Sequence, residues 1–341
     1  MSRQDHTEAK TDQNKADSIW NNLVDEQPKP LDSDVFKVHD RLTTLPSMKT
    51  LYLKVLKKRL GLKRDQTIEP LLVETTLTLT DQWLKSYLDI CGWSLSSMKD
   101  TTTLTVPLTA PQVLAVPLHM YILTHQEFPV SPLGVVHVSN DMVSHHALPL
   151  STPLRFKAWT GETRWKDRGF ELDLHTLVLE LSENDSDLSS EKIIWSGKTT
   201  LFKPSKDKLS SSTKRPKKKD DIIDGSVQAL PLSSNLGRRY APIAGDYNPI
   251  HLYGWSAKLF GFKRPIIHGM WTLAHVLATI HQDPKEVETG RLFVRFRRPL
   301  NLPSEAQIRH VQENLGTHLQ VLDSKAKLAV DAVFTSSLFS T

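Results

Sequence analysis

The 341-residue chain has one cysteine, Cys91, so an internal disulfide is excluded. A chain this poor in cysteine fits a reducing compartment. No apolar run is long enough to span a bilayer. The longest, near Val113 to Leu123, is broken by Pro117 and His119. The first residues carry Asp5, Glu8 and Asp12 and no apolar core, unlike a secretory signal. A charge excess is also lacking: +5 net is modest, and much of it is local, which does not argue for a nucleic-acid partner. The expectation is a soluble, cytoplasmic protein. With 39% hydrophobic and 24% charged residues, it has material for ordinary cores and length for two domains.

Residues 1–30 are polar and aperiodic, as in a mobile tail. A helix is expected from Pro46, with Leu51, Leu53, Val55, Leu56 and Leu60 as its apolar positions. Its Lys54, Lys57, Lys58 and Arg59 form either a solvated face or a patch for a phosphate-bearing ligand or acidic carrier. Strands are predicted at Leu71 to Thr80, Leu133 to Val138, Phe170 to Glu180 and Lys192 to Phe202. Between the first two lie a short helix to Tyr87, a turn at Gly92 and a mainly helical apolar segment from Pro111 to Thr124. Strand, buried helix, then several strands implies an antiparallel sheet packed on one helix. Residues 206–224, with Ser210 to Ser212 and a run from Lys214 to Lys219, read as an exposed basic linker or loop. Beyond it the order repeats. A strand near Val227 to Leu232 and a helix from Gly269 to about His281 precede strands at Arg291 to Arg298, Ala306 to Val311, His318 to Leu322 and Leu328 to Phe334.

The repetition extends to residues. Tyr87, Ile90 and Gly92 match Tyr240, Ile243 and Gly245 in spacing, and Pro111-Gln-Val113 falls opposite Pro265-Ile-Ile267 with an offset of one. Trp93 stands opposite Asp246, and Ala115 opposite Gly269. The first copy, residues 31–205 with an N-terminal helical extension, has lost its polar groups and should shape a pocket. The second, residues 225–341, should do the chemistry. Two such lobes would pair as a dimer fused into one chain.

That chemistry centres on Tyr240 to His251. Gly245 lets the chain turn, and Asn248-Pro249 is a good helix start. His251 then faces back toward Asp246, and a carboxylate and an imidazole together can hold one water for general acid–base catalysis. Gly269 opens the apolar helix, where a bare backbone N–H can bind a carbonyl oxygen that gains negative charge. His137, His145, His146, His275 and His281 lack a ligand set with cysteine or carboxylate partners, so no metal is expected.

At Ala244-Gly-Asp-Tyr-Asn-Pro-Ile-His251 the chain resembles the MaoC-like, (R)-specific enoyl-CoA hydratase family, whose signature is Gly-Asp-x-Asn-Pro-[Ile/Leu/Val]-His after a small residue. Ala244 stands where serine is frequent. The resemblance covers about 232–300 and implies an α+β double hotdog, two antiparallel sheets each wrapped on a central helix, with the N-terminal lobe degenerate. It implies Asp246 and His251 as catalytic residues, Gly269 as oxyanion donor, and Gly245, Asn248 and Pro249 as residues that order the loop. The substrate would be a trans-2-enoyl or (R)-3-hydroxyacyl thioester on coenzyme A or an acyl carrier protein, with no metal or redox cofactor. The altered lobe would receive the acyl chain, a longer one by preference. Lys263, Arg264, Arg295, Arg297 and Arg298 are candidates for carrier phosphates. Homodimerisation is compatible with this reading. A hotdog thioesterase and a non-catalytic acyl-thioester binding protein stay open as alternatives.

Overall fold

A computed structural model describes residues 36–57, 68–94, 104–181, 192–204 and 220–336. The expected tail at 1–30 and most of the expected linker at 206–224 lie outside these residues. Residues 220–224 are fastened to the C-terminal lobe: Asp220 pairs with Arg298 at 2.8 Å, and Gln320 donates to Asp221 O and accepts from Ile223 N.

The N-terminal lobe contains β1 (Val38–Leu42), α1 (Met48–Lys57), β2 (Leu71–Thr78), α2 (Asp81–Cys91), α3 (Ala110–Leu114) and α4 (Val116–Thr124). Four long strands complete it: β3 (Val136–Ser144), β4 (Pro153–Lys166), β5 (Gly169–Glu180) and β6 (Lys192–Pro204). The C-terminal lobe contains β7 (Ser226–Leu232), α5 (Leu236–Ala244), a 3₁₀ turn (Pro249–His251), α6 (Gly254–Leu259) and α7 (Gly269–Ile280), then β8 (Gly290–Phe296), β9 (Ser304–Glu313), β10 (Gly316–Leu322) and β11 (Leu328–Thr335).

The strands form one sheet in the order β1-β2-β4-β5-β6-β3-β8-β11-β10-β9-β7. Outside β1 this order is palindromic in kind: 2-4-5-6-3 in one lobe faces 8-11-10-9-7 in the other. The lobes are therefore two hotdogs joined edge to edge into a continuous sheet, as a fused dimer would be. The seam is the antiparallel pair β3–β8, with Asn140 opposite Val294. There Arg291 grips Asp141 with two hydrogen bonds of 2.9 and 2.7 Å, the bidentate form that fixes register as well as adding energy.

Each half-sheet packs on its own helix. In α7, Leu273, Ala274, Val276 and Leu277 are buried, and in α4 Leu118, Ile122 and Leu123. Both helices are apolar nearly all round, as a helix wrapped by a sheet must be. Tyr87 and Tyr240 are fully buried on α2 and α5, and these helices end alike, at Gly92 (φ +94°) and Gly245 (φ +66°). Only glycine takes that left-handed position at little cost.

Several expectations need adjustment. Leu53 of α1 is exposed rather than apolar-packed, whereas Leu51 and Val55 are buried as expected. The apolar segment from Pro111 divides into α3 and α4, and the second begins at Val116 with Ala115 as its N-cap. Ala115 therefore matches His268, the N-cap of α7, and Val116 matches Gly269. Strands β1 and β4 and helices α5 and α6 were not expected from the sequence.

Candidate active site

Asp246 follows α5 directly, turned out of the helix by Gly245. Its Oδ1 accepts the Asn248 N–H at 3.1 Å and the Tyr52 hydroxyl at 3.0 Å. Its Oδ2 lies 3.9 Å from Nε2 of His251 and 3.9 Å from Nε2 of His268. The carboxylate faces the pocket and is 32% exposed there, while both imidazoles are buried. Burial would push its pKa up. His268, His251, the Asn248 N–H and the Tyr52 hydroxyl together outweigh burial and hold it below the ordinary carboxylate value.

Asn248 caps the 3₁₀ turn by accepting the Ile250 N–H at 3.4 Å, with Pro249 at the first position. This turn delivers His251. Its Nδ1 sits 2.8 Å from the Ile266 carbonyl, an acceptor only, so Nδ1 carries the hydrogen and Nε2 presents a lone pair toward Asp246. Burial lowers the His251 pKa below 6.5, against the raising effects of Asp246 and the Ile266 carbonyl. His251 is thus a neutral imidazole with its basic nitrogen facing an ionised carboxylate.

His268, which the sequence places beside Gly269 but gives no role, completes the cluster. Its ring stacks on His251 with centroids 3.7 Å apart, and Tyr240 meets its edge at 5.1 Å. Its Nε2–H donates to the Asp246 carbonyl at 2.9 Å, leaving a buried Nδ1 without a partner. Burial and then His251 push its pKa down to about 3. Its place immediately before Gly269 was the available signal. Tyr52, 194 residues from Asp246, offered none.

Gly269 is the first residue of α7, where N–H groups have no intrahelical acceptor. A Cβ there would lie 2.7 Å from Cε1 of Phe296, so only glycine fits without movement.

One donor atom each from Asp246, His251 and His268 lies within 4.8 Å of the others, a spacing that invites a metal reading. Zinc-type ligation needs lone pairs converging at about 2.0–2.2 Å. Here His268 Nε2 spends its hydrogen on a carbonyl, and the two rings lie parallel within 26°. The residues present suit hydrogen bonding to a small molecule better than ligation of an ion. Among the described residues, His137, His145, His146, His275 and His281 form no comparable group.

The cluster opens into a cavity of about 1150 Å³. The opposite wall comes from the N-terminal lobe, through Val113, Val116, Met120 and Leu123 of the helical segment and Leu133 and Val136 beside the seam. Trp93, the counterpart of Asp246, is buried and donates its indole N–H to the His281 carbonyl at 3.1 Å, filling space at the far end of α7.

The cationic candidates divide. Arg297 and Arg298 reach the cavity wall, each with an acid beside it: Asp331 at 3.1 Å and Asp220 at 2.8 Å. Lys263 and Arg264 are exposed and outside the cavity lining. Arg295 is a correction. Phe296 faces Gly269 and the cavity, so its strand neighbour points to the other side of the sheet, where the guanidinium lies 5.1 Å from the Phe293 ring centre.

Residues 222–332 match the family described as MaoC like domain. The chain is 32% identical over 222 residues to 3-hydroxyacyl-thioester dehydratase X of Mycobacterium tuberculosis, covering 65% of this chain and 75% of that one. It is 44% identical over 52 residues to peroxisomal enoyl-CoA hydratase 2 of Arabidopsis thaliana, which is 14% of this chain and 17% of that one. A crystal structure of HtdX from Mycobacterium tuberculosis superposes with a TM-score of 0.63 at 27% identity, over 77% of this chain and 98% of that one. A double-hotdog chain with one intact Gly-Asp-x-Asn-Pro-x-His motif, it belongs to the MaoC-like family.

Proposed function

We propose that this chain is a hydro-lyase that hydrates trans-2-enoyl thioesters and, in reverse, dehydrates (R)-3-hydroxyacyl thioesters carried on coenzyme A or an acyl carrier protein. The observation that carries the reading is the orientation of His251: its Nδ1–H is committed to Ile266 O, so its Nε2 lone pair and Asp246 Oδ2 face one point from 3.9 Å apart. A water hydrogen-bonded to both sits at the apex of that pair. The thioester carbonyl accepts the Gly269 N–H at the start of α7, where the helix dipole favours developing negative charge. Water oxygen adds to the β-carbon as its proton passes to the pair. The enolate oxygen is held at Gly269, and a proton returns from the pair to the α-carbon.

The names of the dehydratase and hydratase relatives support this direction of chemistry. The apolar lining supports an acyl chain directed into the N-terminal lobe. At about 1150 Å³ the cavity exceeds the usual ligand pocket of roughly 300–1,000 Å³, which favours longer chains. Arg297 and Arg298 are the cations best placed for carrier phosphates. Neither metal nor redox cofactor enters the reaction. The test is loss of enoyl-thioester absorbance by protein treated with a chelator: turnover to the (R)-3-hydroxyacyl product is expected, whereas release of free thiol would mark a thioesterase instead.

A further inference from the structure

Helix α1 belongs to neither hotdog. It precedes β2, yet nothing described before β7 corresponds to it in the other lobe, so the repeat does not require it. It is nevertheless held firmly. Leu51 and Val55 are buried, and Met48 lies across the catalytic turn, where a Cβ on Gly245 would sit 3.6 Å from its Cγ. From the next turn of α1, Tyr52 sends its hydroxyl to Asp246 Oδ1 at 3.0 Å.

That oxygen also takes the Asn248 N–H. Two donors thus converge on Oδ1, while Oδ2 alone faces the histidine nitrogens. We propose that Tyr52 is a positioning residue that commits Oδ1 to structure and leaves Oδ2 as the single water-binding oxygen, making the N-terminal helix part of the active site. This rests on the reading of Asp246 as a catalytic carboxylate. Burial, then the nearby Asp246 charge, push the phenol well above its ordinary value, so Tyr52 remains a donor throughout the working range. The other titratable groups near Asp246 are His251, His268, His137 on β3, Tyr240 on α5 and the adjoining Tyr247, whose backbone also bonds to Tyr52. His137, His251 and His268 are held below 6.5 and Tyr240 above 10, so all four are neutral near pH 7.

The experiment is kcat/KM for a trans-2-enoyl-CoA against pH in the full chain, comparing wild type, Tyr52→Phe and Asp246→Asn. Removing a hydrogen bond to a carboxylate disfavours its charged form. In Tyr52→Phe the acid limb should therefore move up by about one pH unit, with kcat falling roughly tenfold and KM little changed. Site-specific replacement of Tyr52 by 3-fluorotyrosine keeps the ring and strengthens the donor, and should move the limb the other way. A merely structural role moves neither limb. An acid limb that stays in place in both variants, or a faster Tyr52→Phe enzyme, overturns the proposal even if Asp246→Asn is inactive. A fully active Asp246→Asn removes the underlying reading as well.

Discussion

Asp246 owes its place to its neighbours. Gly245 supplies the left-handed turn that swings it off α5, and the His268 ring holds its carbonyl while stacking on His251. Gly269→Ala is the sharpest test of local geometry. The new methyl meets Phe296 at 2.7 Å and crowds the N–H proposed to hold the oxyanion. A loss of about 10²–10³ in kcat is expected, with a urea-midpoint loss equivalent to ~1–3 kcal/mol from overpacking. The pH profile follows from Asp246 and His251, which act on each other and titrate as a coupled pair. The proposed mechanism needs His251 neutral and Asp246 ionised, and each is held below its ordinary value, so the rate should persist below pH 6.5 before the pair's acid limb begins. Of the polar cluster, Asp246, His251 and Gly269 were legible because turn formers and a helix start bracket them. Tyr52 was not, and His268 was marked only by its place before Gly269, since their roles come from contacts made only when distant segments meet.

Helix α4 is the element where the lobes diverge most usefully. At its first position Val116 replaces glycine, and its side chain lines the cavity, so this copy presents an apolar side chain where the other presents bare backbone. Val116→Trp should cut kcat/KM for long-chain enoyl-CoA by more than about tenfold while sparing the shortest substrates, as a chain-length series would show. Strands rich in apolar residues and mostly buried along their length, such as β5 and β11, were readable from sequence. Strand β4 was not, although Leu154, Phe156 and Ala158 alternate inward. Its regular pairing shifts between Thr160 and Thr163, and Gly161 and Glu162 break the pattern. Strand β3 was placed three residues early at its start and six short at its end. Its Asn140 and Asp141 look like loop residues, and their partners come from distant segments: Asn140 donates to Met270 Sδ of α7 at 3.7 Å, and Asp141 accepts from Arg291 of β8. Helix α5 hid behind Gly237 and the internal Pro242.

The whole molecule is a dimer-like sheet in a single chain, with the Asp246, His251 and His268 cluster on one side of the seam and much of the apolar cavity wall on the other. Its buried histidines tie folding to pH. His119 and His268 are held neutral down to about 3 and His137 to about 4, burial being the first cause in each. Unfolded, each would titrate near 6.5, so below that pH the unfolded chain binds more protons than the folded one. Stability contributed by these groups is complete above pH 6.5 and declines as pH falls from there toward 4. Melting temperatures measured across that interval should drop steadily toward the acid end, and a flat profile would contradict the burial of these rings. The order of lobes was readable from paired tyrosines and glycines, but their union through β3 and β8 depends on edge pairing that no local pattern encodes. The central claim is that Asp246 and His251 activate one water against a 2-enoyl thioester. Its most direct test is the initial rate of enoyl-CoA hydration by Asp246→Asn beside the wild type, both confirmed folded by their melting curves. The account predicts a loss of at least about 10²-fold in the variant; an unchanged rate would contradict it.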